Sequence, residues 1–194
     1  MSVRLRALER DDLRFAHSLS NDSRVMSYWF NEPFDSLAEL HEIYDRHIHD
    51  LRERRFVIEA REPEATGGDG IAESGPRPER VGVVELVEID YIHRCAEFQI
   101  MIAPSRQGEG HATTATRLAL DYAFAVLNLH KVYLIVSTEN HGAIHIYRKA
   151  GFTVEGTLRE EFFTDGRYRD ALRTSPRWPP TCSPGTRTAP ESRC

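Results

Sequence analysis

The sequence predicts a single α/β domain, a β-sheet flanked by helices, on three observations. Strand-like and helix-like runs are interspersed from Val3 to Phe152. A glycine turn, Gln107-Gly108-Glu109-Gly110, joins an apolar strand directly to a helical run. Near the end, two strand-like runs flank Asp165-Gly166, a dipeptide suited to a two-residue hairpin turn. The 194 residues suffice for one full core.

VRLRAL (3–8) reads as the first strand, and Leu13, Ala16 and Leu19 mark the apolar side of a helix near residues 10–20. Ser36 followed by Glu39 is a capping-box signature. Leu37, Leu40, Ile43, Tyr44, Ile48 and Leu51 then recur at helical spacing, with Glu39, Glu42, Arg46, His49 and Asp50 on the other side. RRFVIEA (54–60) and VGVVELVEID (81–90) are strands of a hairpin interrupted by residues 62–80. Seven of those nineteen residues are Gly or Pro, so a flexible insertion is expected. CAEFQIMI (95–102) alternates, with Glu97, Gln99 and Met101 on one side and Ala96, Phe98, Ile100 and Ile102 on the other. A helix at 111–127, a buried strand KVYLIVS (131–137) and a short helix from Asn140 to Gly151 follow. VEGTLREEFF and GRYRDALR close the fold as a hairpin. From Ser175 the chain holds five of its ten prolines, which divides it into a domain, 1–174, and a disordered tail, 175–194.

Composition narrows the function. A net charge of −5 argues against nucleic acid as the main partner. No apolar run approaches the roughly 20 residues needed to span a bilayer, and the N-terminal residues lack a signal-peptide pattern. Cys95, Cys182 and Cys194 are odd in number and scattered, so a disulfide framework or zinc site is not expected and a reducing cytoplasm fits. Acids gather at Glu32, Glu39, Glu42, Asp45 and Asp50, and again at Glu85, Glu88, Asp90 and Glu97, a pattern that would attract a cationic ligand.

The glycine turn has a physical reading of its own. A helix's first turn carries N–H groups without intrahelical partners and a dipole that favours anions. Glycine lets the backbone before it fold tightly and approach a phosphate. Position 113 is Thr, so the dinucleotide pattern GxGxxG is absent, and no Lys-Ser/Thr pair completes a P-loop. Later, Asn140 can cap the second helix and Gly151 can end it, with Ala143, Ile144 and Tyr147 on one face between them.

Gln107-x-x-Gly110-x-Ala112 before a helix, then Asn140-x-x-Ala143-x-x-x-Tyr147-x-Lys149-x-Gly151-Phe152, resemble the two signatures of the GNAT superfamily of N-acetyltransferases. The resemblance implies a mixed central sheet with a splay between two strands that holds acetyl-CoA, the co-substrate. It places the coenzyme against Ile100, Met101 and Ile102, against Gln107, Gly108, Glu109, Gly110, His111, Ala112 and Thr113, and against Asn140, Ala143, Ile144, Tyr147 and Lys149. It makes Tyr147 the acid that protonates the departing thiolate.

Longer segments, among them YWFNEPF, HIHD, VELVEIDYIHR and AEFQIMI, resemble bacterial spermidine/spermine N-acetyltransferases from about Val3 to Arg173. That implies polyamine acceptors bound at Glu97, Phe98 and Gln99. It also implies an allosteric polyamine site at Met26, Asn31, Glu39, His47, Ile48, His49 and Asp50, and a dodecamer. Asn31 stands where that family commonly has Glu, which removes a charge from the allosteric site and from a divalent-ion site shared with Glu88 in some members. His47 and His49, at i and i+2, point about 200° apart on a helix and do not share an ion unaided. The chemistry itself requires no metal. Two other readings stay open: a ribosomal-type protein N-terminal acetyltransferase, and a non-catalytic polyamine sensor.

Overall fold

The computed structural model describes residues 2–29, 35–48, 50–61 and 78–176. Asn31, His49, residues 62–77 of the expected insertion and the tail from 177 lie outside the described residues.

Local signals set the helix ends. Helix α1 (Leu13–Ser20) follows a single 3-10 turn, and a short helix α2 (Ser23–Met26), not anticipated from the sequence, opens at Asp22, whose carboxylate accepts from the Arg24 amide. At the start of α3 (Leu37–His47) the Glu39 amide donates to Ser36 Oγ at 3.2 Å, and the Ser36 amide donates to Glu39 Oε2 at 2.7 Å. This is the expected capping box. The helix ends at His47, so Leu51 lies in the turn beyond it instead of on its apolar side. In that turn the Asp50 amide donates to the His47 carbonyl at 2.9 Å and the Asp50 carboxylate accepts the Arg52 amide at 2.8 Å. Helix α4 (His111–Asp121) passes into one π turn at Tyr122–Val126, which sets the Tyr122 ring edge-on to Phe56 at 5.1 Å. Helix α5 (His141–Lys149) is capped by Asn140, whose Oδ1 accepts from the Ala143 amide at 3.0 Å.

Seven strands form one sheet in the order β1 (Ser2–Ala7), β2 (Arg54–Arg61), β3 (Glu79–Asp90), β4 (Cys95–Ile102), β5 (Lys131–Ser137), β7 (Arg167–Pro176) and β6 (Phe152–Thr164). Strands β2 and β3 pair as the expected hairpin, and Asp165 (φ 51°) with Gly166 (φ 75°) makes the tight turn between β6 and β7. Two boundaries move. Glu79 and Arg80, expected in the insertion, begin β3, because Ala60 and Glu59 of β2 offer them partners. Ser175 and Pro176, expected in the tail, finish β7 opposite Thr153 and Phe152, and Ser175 Oγ donates to Glu155 at 2.8 Å. Proline is tolerated there because a strand end does not need its missing N–H.

One pairing matters most. Strands β4 and β5 are parallel, whereas every other neighbouring pair is antiparallel, and their register runs only from Cys95–Lys131 to Glu97–Tyr133. Beyond Tyr133 the register with β4 stops, while Leu134–Ser137 pair with β7 on the opposite edge of β5, and a wedge opens between β4 and β5. Helices α4 and α5 cover one face, where Ile58, Val84, Leu86 and Phe98 pack against Ala115, Ala119 and Tyr147. Helices α1 and α3 cover the other, over Val57, Val83 and Met101.

A charged network ties β1 to β2. Arg6 donates to Asp12 at 2.7 Å and to Glu59 at 2.9 Å, and Arg4 also reaches Glu59 at 2.7 Å; Asp12 and Glu59 are both buried. Burial alone would raise both carboxyls. For Asp12 the hydrogen bonds from Arg6, the Glu9 amide and Arg80 outweigh it, and for Glu59 those from Arg6 and Arg4 do. Each is held below its ordinary value, 3.8 for Asp12 and 4.5 for Glu59. Their stabilisation is therefore fully present above those values and is lost as pH falls through the lower folded ones. Glu59→Gln should cost roughly 3 kcal/mol at pH 7. Its melting temperature should also fall less steeply than the parent's below pH 4; parallel acid limbs would refute the role of this network.

Candidate active site

The wedge between β4 and β5 is the mouth of a cavity of about 740 Å³. Its walls come from β4 from Glu97 to Ile102, Ile135 and Val136 of β5, Glu88 of β3, the glycine turn with the start of α4, the inner side of α5, and α2 with Tyr28 and Trp29.

At one end Gly108 and Gly110 both adopt φ +83°, a conformation open to glycine at little cost, and so aim the first turn of α4 into the cavity. Gln107 anchors the turn by donating to the Ile102 carbonyl at 3.2 Å. Ala115 and Ala119 lie fully buried against the sheet, whereas Ala112 faces the cavity. Unpartnered amides around a bare backbone are what a pyrophosphate requires.

In the middle Tyr147 packs its ring edge-on to Phe98, centroids 6.2 Å apart, and against Phe152 at 5.6 Å. Burial pushes its phenol above the ordinary value, so it stays protonated at neutral pH. Among the described residues, its hydroxyl, on the cavity wall, has no hydrogen-bond partner.

At the other end stand Glu97 and Glu88. Gln99 donates to Glu97 at 3.1 Å, and Tyr133 donates to Glu88 at 3.3 Å. Burial raises the Glu97 carboxyl; the Gln99 hydrogen bond opposes that, and the charge of Glu88 adds to it. Burial, with Glu97 and Glu88 nearby, pushes the Tyr133 phenol up to about 12. Glu88 sits in a β-bulge at φ 50°, a left-handed conformation that is uncommon for a non-glycine residue.

Of the residues expected to hold the coenzyme, Ile100, Met101, Ile102, Gln107, Gly108, Gly110, His111, Ala112, Thr113, Asn140, Ala143, Tyr147 and Lys149 all line this cavity. Glu109 and Ile144 do not; Ile144 packs into the core beneath α5. Glu97 and Gln99 share a face, but Phe98, grouped with them as acceptor-binding, points to the opposite face and is 2% exposed. Its ring packs edge-on to Tyr147, and the residue still lines the cavity.

Three of the expected allosteric residues share a cavity. His47, Ile48 and Asp50 line a second cavity of about 460 Å³ with Glu53, Arg54 and Arg55, whereas Met26 and Glu39 line neither cavity. The acid clusters are largely neutralised locally. Asp45 pairs with Arg10, Asp50 with Arg52, and Glu85 faces Arg55, while Asp90 accepts the amides of Ile92 and His93. Glu88 meets Tyr133, and among the described residues no three His, Cys, Asp or Glu side chains converge as a metal site.

Sequence reasoning passed over Arg24, Tyr28, Trp29 and Arg106 as wall residues. Tyr28-Trp29 was visible as an aromatic pair, but its approach to β4 depends on the unanticipated helix α2.

A split parallel pair, a bare glycine turn before a helix and a tyrosine facing the split define an acyl-coenzyme A transferase site. The acetyltransferase (GNAT) domain family matches residues 2–153, and the chain belongs to that family. It is 56% identical over 172 residues to a spermidine N(1)-acetyltransferase of Escherichia coli K12, covering 89% of this chain and 84% of that protein. A spermidine N(1)-acetyltransferase of Vibrio cholerae is 53% identical over 169 residues, covering 87% of this chain and 89% of that protein. The crystal structure of a Vibrio cholerae spermidine N-acetyltransferase in complex with CoA and spermine superposes with a TM-score of 0.79 at 52% identity. That match covers 89% of this chain and 94% of the other.

Proposed function

We propose that this chain transfers the acetyl group of acetyl-CoA to a primary amine of a polyamine, spermidine or spermine, by direct attack in a ternary complex. The observation that carries this reading is the cavity's division of labour, with anion-binding amides at one end and the carboxylates of Glu88 and Glu97 at the other. Those two acids face the cavity while most of the surrounding ones are tied up in ion pairs and turns.

An amine attacks a thioester only when neutral, and polyamine amines are largely protonated at pH 7. Water held by Glu97 or by backbone carbonyls would take the proton. Beyond Glu97 the backbone of β4 has no partner on β5, which leaves an amide near Met101 or Ile102 free to hold the oxyanion of the tetrahedral intermediate. As the C–S bond breaks, Tyr147 donates to the leaving sulfur. Cys95, the free cysteine among the described residues, does not line the cavity, so no covalent acetyl-enzyme is invoked.

By likeness to the bacterial polyamine enzymes, we assign the protein to the cytoplasm and to a homo-oligomer, a dodecamer in that family. The cavity at His47, Ile48 and Asp50 would be part of a regulatory polyamine site. A ribosomal-type peptide acetyltransferase would share the coenzyme end but would present a single α-ammonium to the two acids, where a polyamine presents several cationic nitrogens.

Glu97→Gln tests the reading. Losing a half-buried charge opposite an ammonium should raise KM for spermidine about tenfold, with KM for acetyl-CoA unchanged. In the parent, kcat/KM for spermidine should fall as pH drops through the raised Glu97 value, because the carboxylate becomes neutral; the variant should lack that component. A spermidine KM indifferent to this substitution would remove Glu97 from acceptor binding.

A further inference from the structure

Glu109 is out of place by charge. It sits between the two glycines of a turn whose amides favour an anion, where a free carboxylate would repel one. Its charge is not free. A single oxygen, Oε2, meets His111 Nε2 at 3.1 Å and the Arg106 guanidinium at 3.3 Å. Arg106 also reaches Glu79 at 3.5 Å, which links the turn to the start of β3. The His111 side chain is 1% exposed, so its ring is rooted inside the domain as the first residue of α4.

The turn has little else to fix it. A Cβ added at Gly108 or Gly110 would meet nothing within 4 Å, so neighbouring atoms do not press either glycine into its conformation. Gly110, at the N-cap of α4, brings no side chain to cap the helix. Besides the Thr114 bonds to the Gly110 carbonyl, which belong to the helix start, the turn is held by the Gln107 bond to Ile102 on one side and the grip on Glu109 on the other.

The geometry points to a clasp: His111 and Arg106, closing on one oxygen of Glu109, hold the glycine turn in its anion-binding shape, and His111 is a positioning residue for acetyl-CoA. The clasp also offsets the Glu109 charge beside the turn. Protonated or as the Nε2–H tautomer, His111 donates to Glu109 and remains inside the domain, so its role is exerted through the backbone it fixes. Arg106 lines the cavity, and its Nε is buried without a partner, so the same side chain faces both the clasp and the ligand.

This inference rests on reading the turn as the acetyl-CoA site, and a binding measurement without acceptor separates the two. Calorimetry with coenzyme A alone is run on the full chain, on His111→Phe, on His111→Gln and on Glu109→Ala. Loss of a charge-assisted hydrogen bond that shapes the site should weaken coenzyme A binding by His111→Phe about tenfold. In turnover, the loss should fall on KM for acetyl-CoA more than on kcat. His111→Gln, which can still donate from a similar distance, should recover most of the affinity. Glu109→Ala, at a partly exposed position that leaves the core intact, keeps the test alive if the Phe variant fails to fold. Simple charge removal beside an anion predicts tighter binding for it, whereas the clasp predicts weaker binding. Tighter binding by Glu109→Ala, or equal losses in the Phe and Gln variants, would overturn the clasp. If the parent binds coenzyme A but acetylates no polyamine, the clasp stands and only the acceptor assignment fails.

Discussion

Tyr147→Phe should lower kcat by about a hundredfold, the contribution of one well-placed proton donor. KM for acetyl-CoA should move little, because the ring that packs on Phe98 and Phe152 is retained and only the hydroxyl is lost. The phenol lies above its ordinary value through burial, so its proton stays in place until charge develops on the sulfur. The same reasoning predicts no acid or base limb from Tyr147 in the kcat profile between pH 6 and 9. Stopped-time coenzyme A release across that range checks both statements. A variant with unaltered kcat would take Tyr147 out of the mechanism and leave it as a core aromatic.

The largest effect on packing around the cavity should come from Gly82→Ala. Gly82 lies mid-strand in β3, opposite Ile102 and beside Ile58. A Cβ there would press into the Met101 carbonyl oxygen and come within 2.9 Å of Ile102 Cδ1 and 3.1 Å of Ile58 Cδ1. A methyl side chain cannot relieve an overlap with backbone, so β3 and β4 must separate at the residues that wall the cavity. Overpacking of this kind costs about 3 kcal/mol, and the displacement of Met101 and Ile102 should also weaken acetyl-CoA binding. Urea unfolding with coenzyme A calorimetry reads both. A Gly82→Ala protein of parental stability would contradict the tight β3–β4 packing described above.

How much of this was legible in the sequence depends on range. The Ser36–Glu39 box, the Asn140 cap and the Asp165-Gly166 turn are settled within three or four residues, and each formed as its signature suggested. The glycine turn likewise declared its positive φ angles. The wedge is different in kind. No spacing in CAEFQIMI or KVYLIVS says that pairing stops after Glu97 and Tyr133; it was expected only through family resemblance, and Leu134–Ser137 keep their pairing with β7 on the other edge of β5.

Glu88 illustrates a further limit. Strict alternation would place it with Val84 and Leu86 on the α4 and α5 face, and only the bulge between Val87 and Asp90 brings its carboxylate to Tyr133. That bulge has no glycine or proline to mark it. At Phe98, alternation set the residue apart from Glu97 and Gln99 while resemblance grouped the three together, and all three line the cavity. The acid clusters looked like one cationic-ligand surface because the sequence does not reveal which arginines answer them. Arg10 reaches Asp45 across 35 residues.

The central claim, that acetyl groups pass from acetyl-CoA to polyamines in this cavity, is met most directly by one assay. Coenzyme A release is followed with spermidine, spermine and a ribosomal-protein N-terminal peptide as parallel acceptors. Saturable turnover with the polyamines and none with the peptide is the predicted result. Faster turnover with the peptide would reassign the acceptor end, and polyamine binding without any thiol release would make this chain a sensor instead of an enzyme.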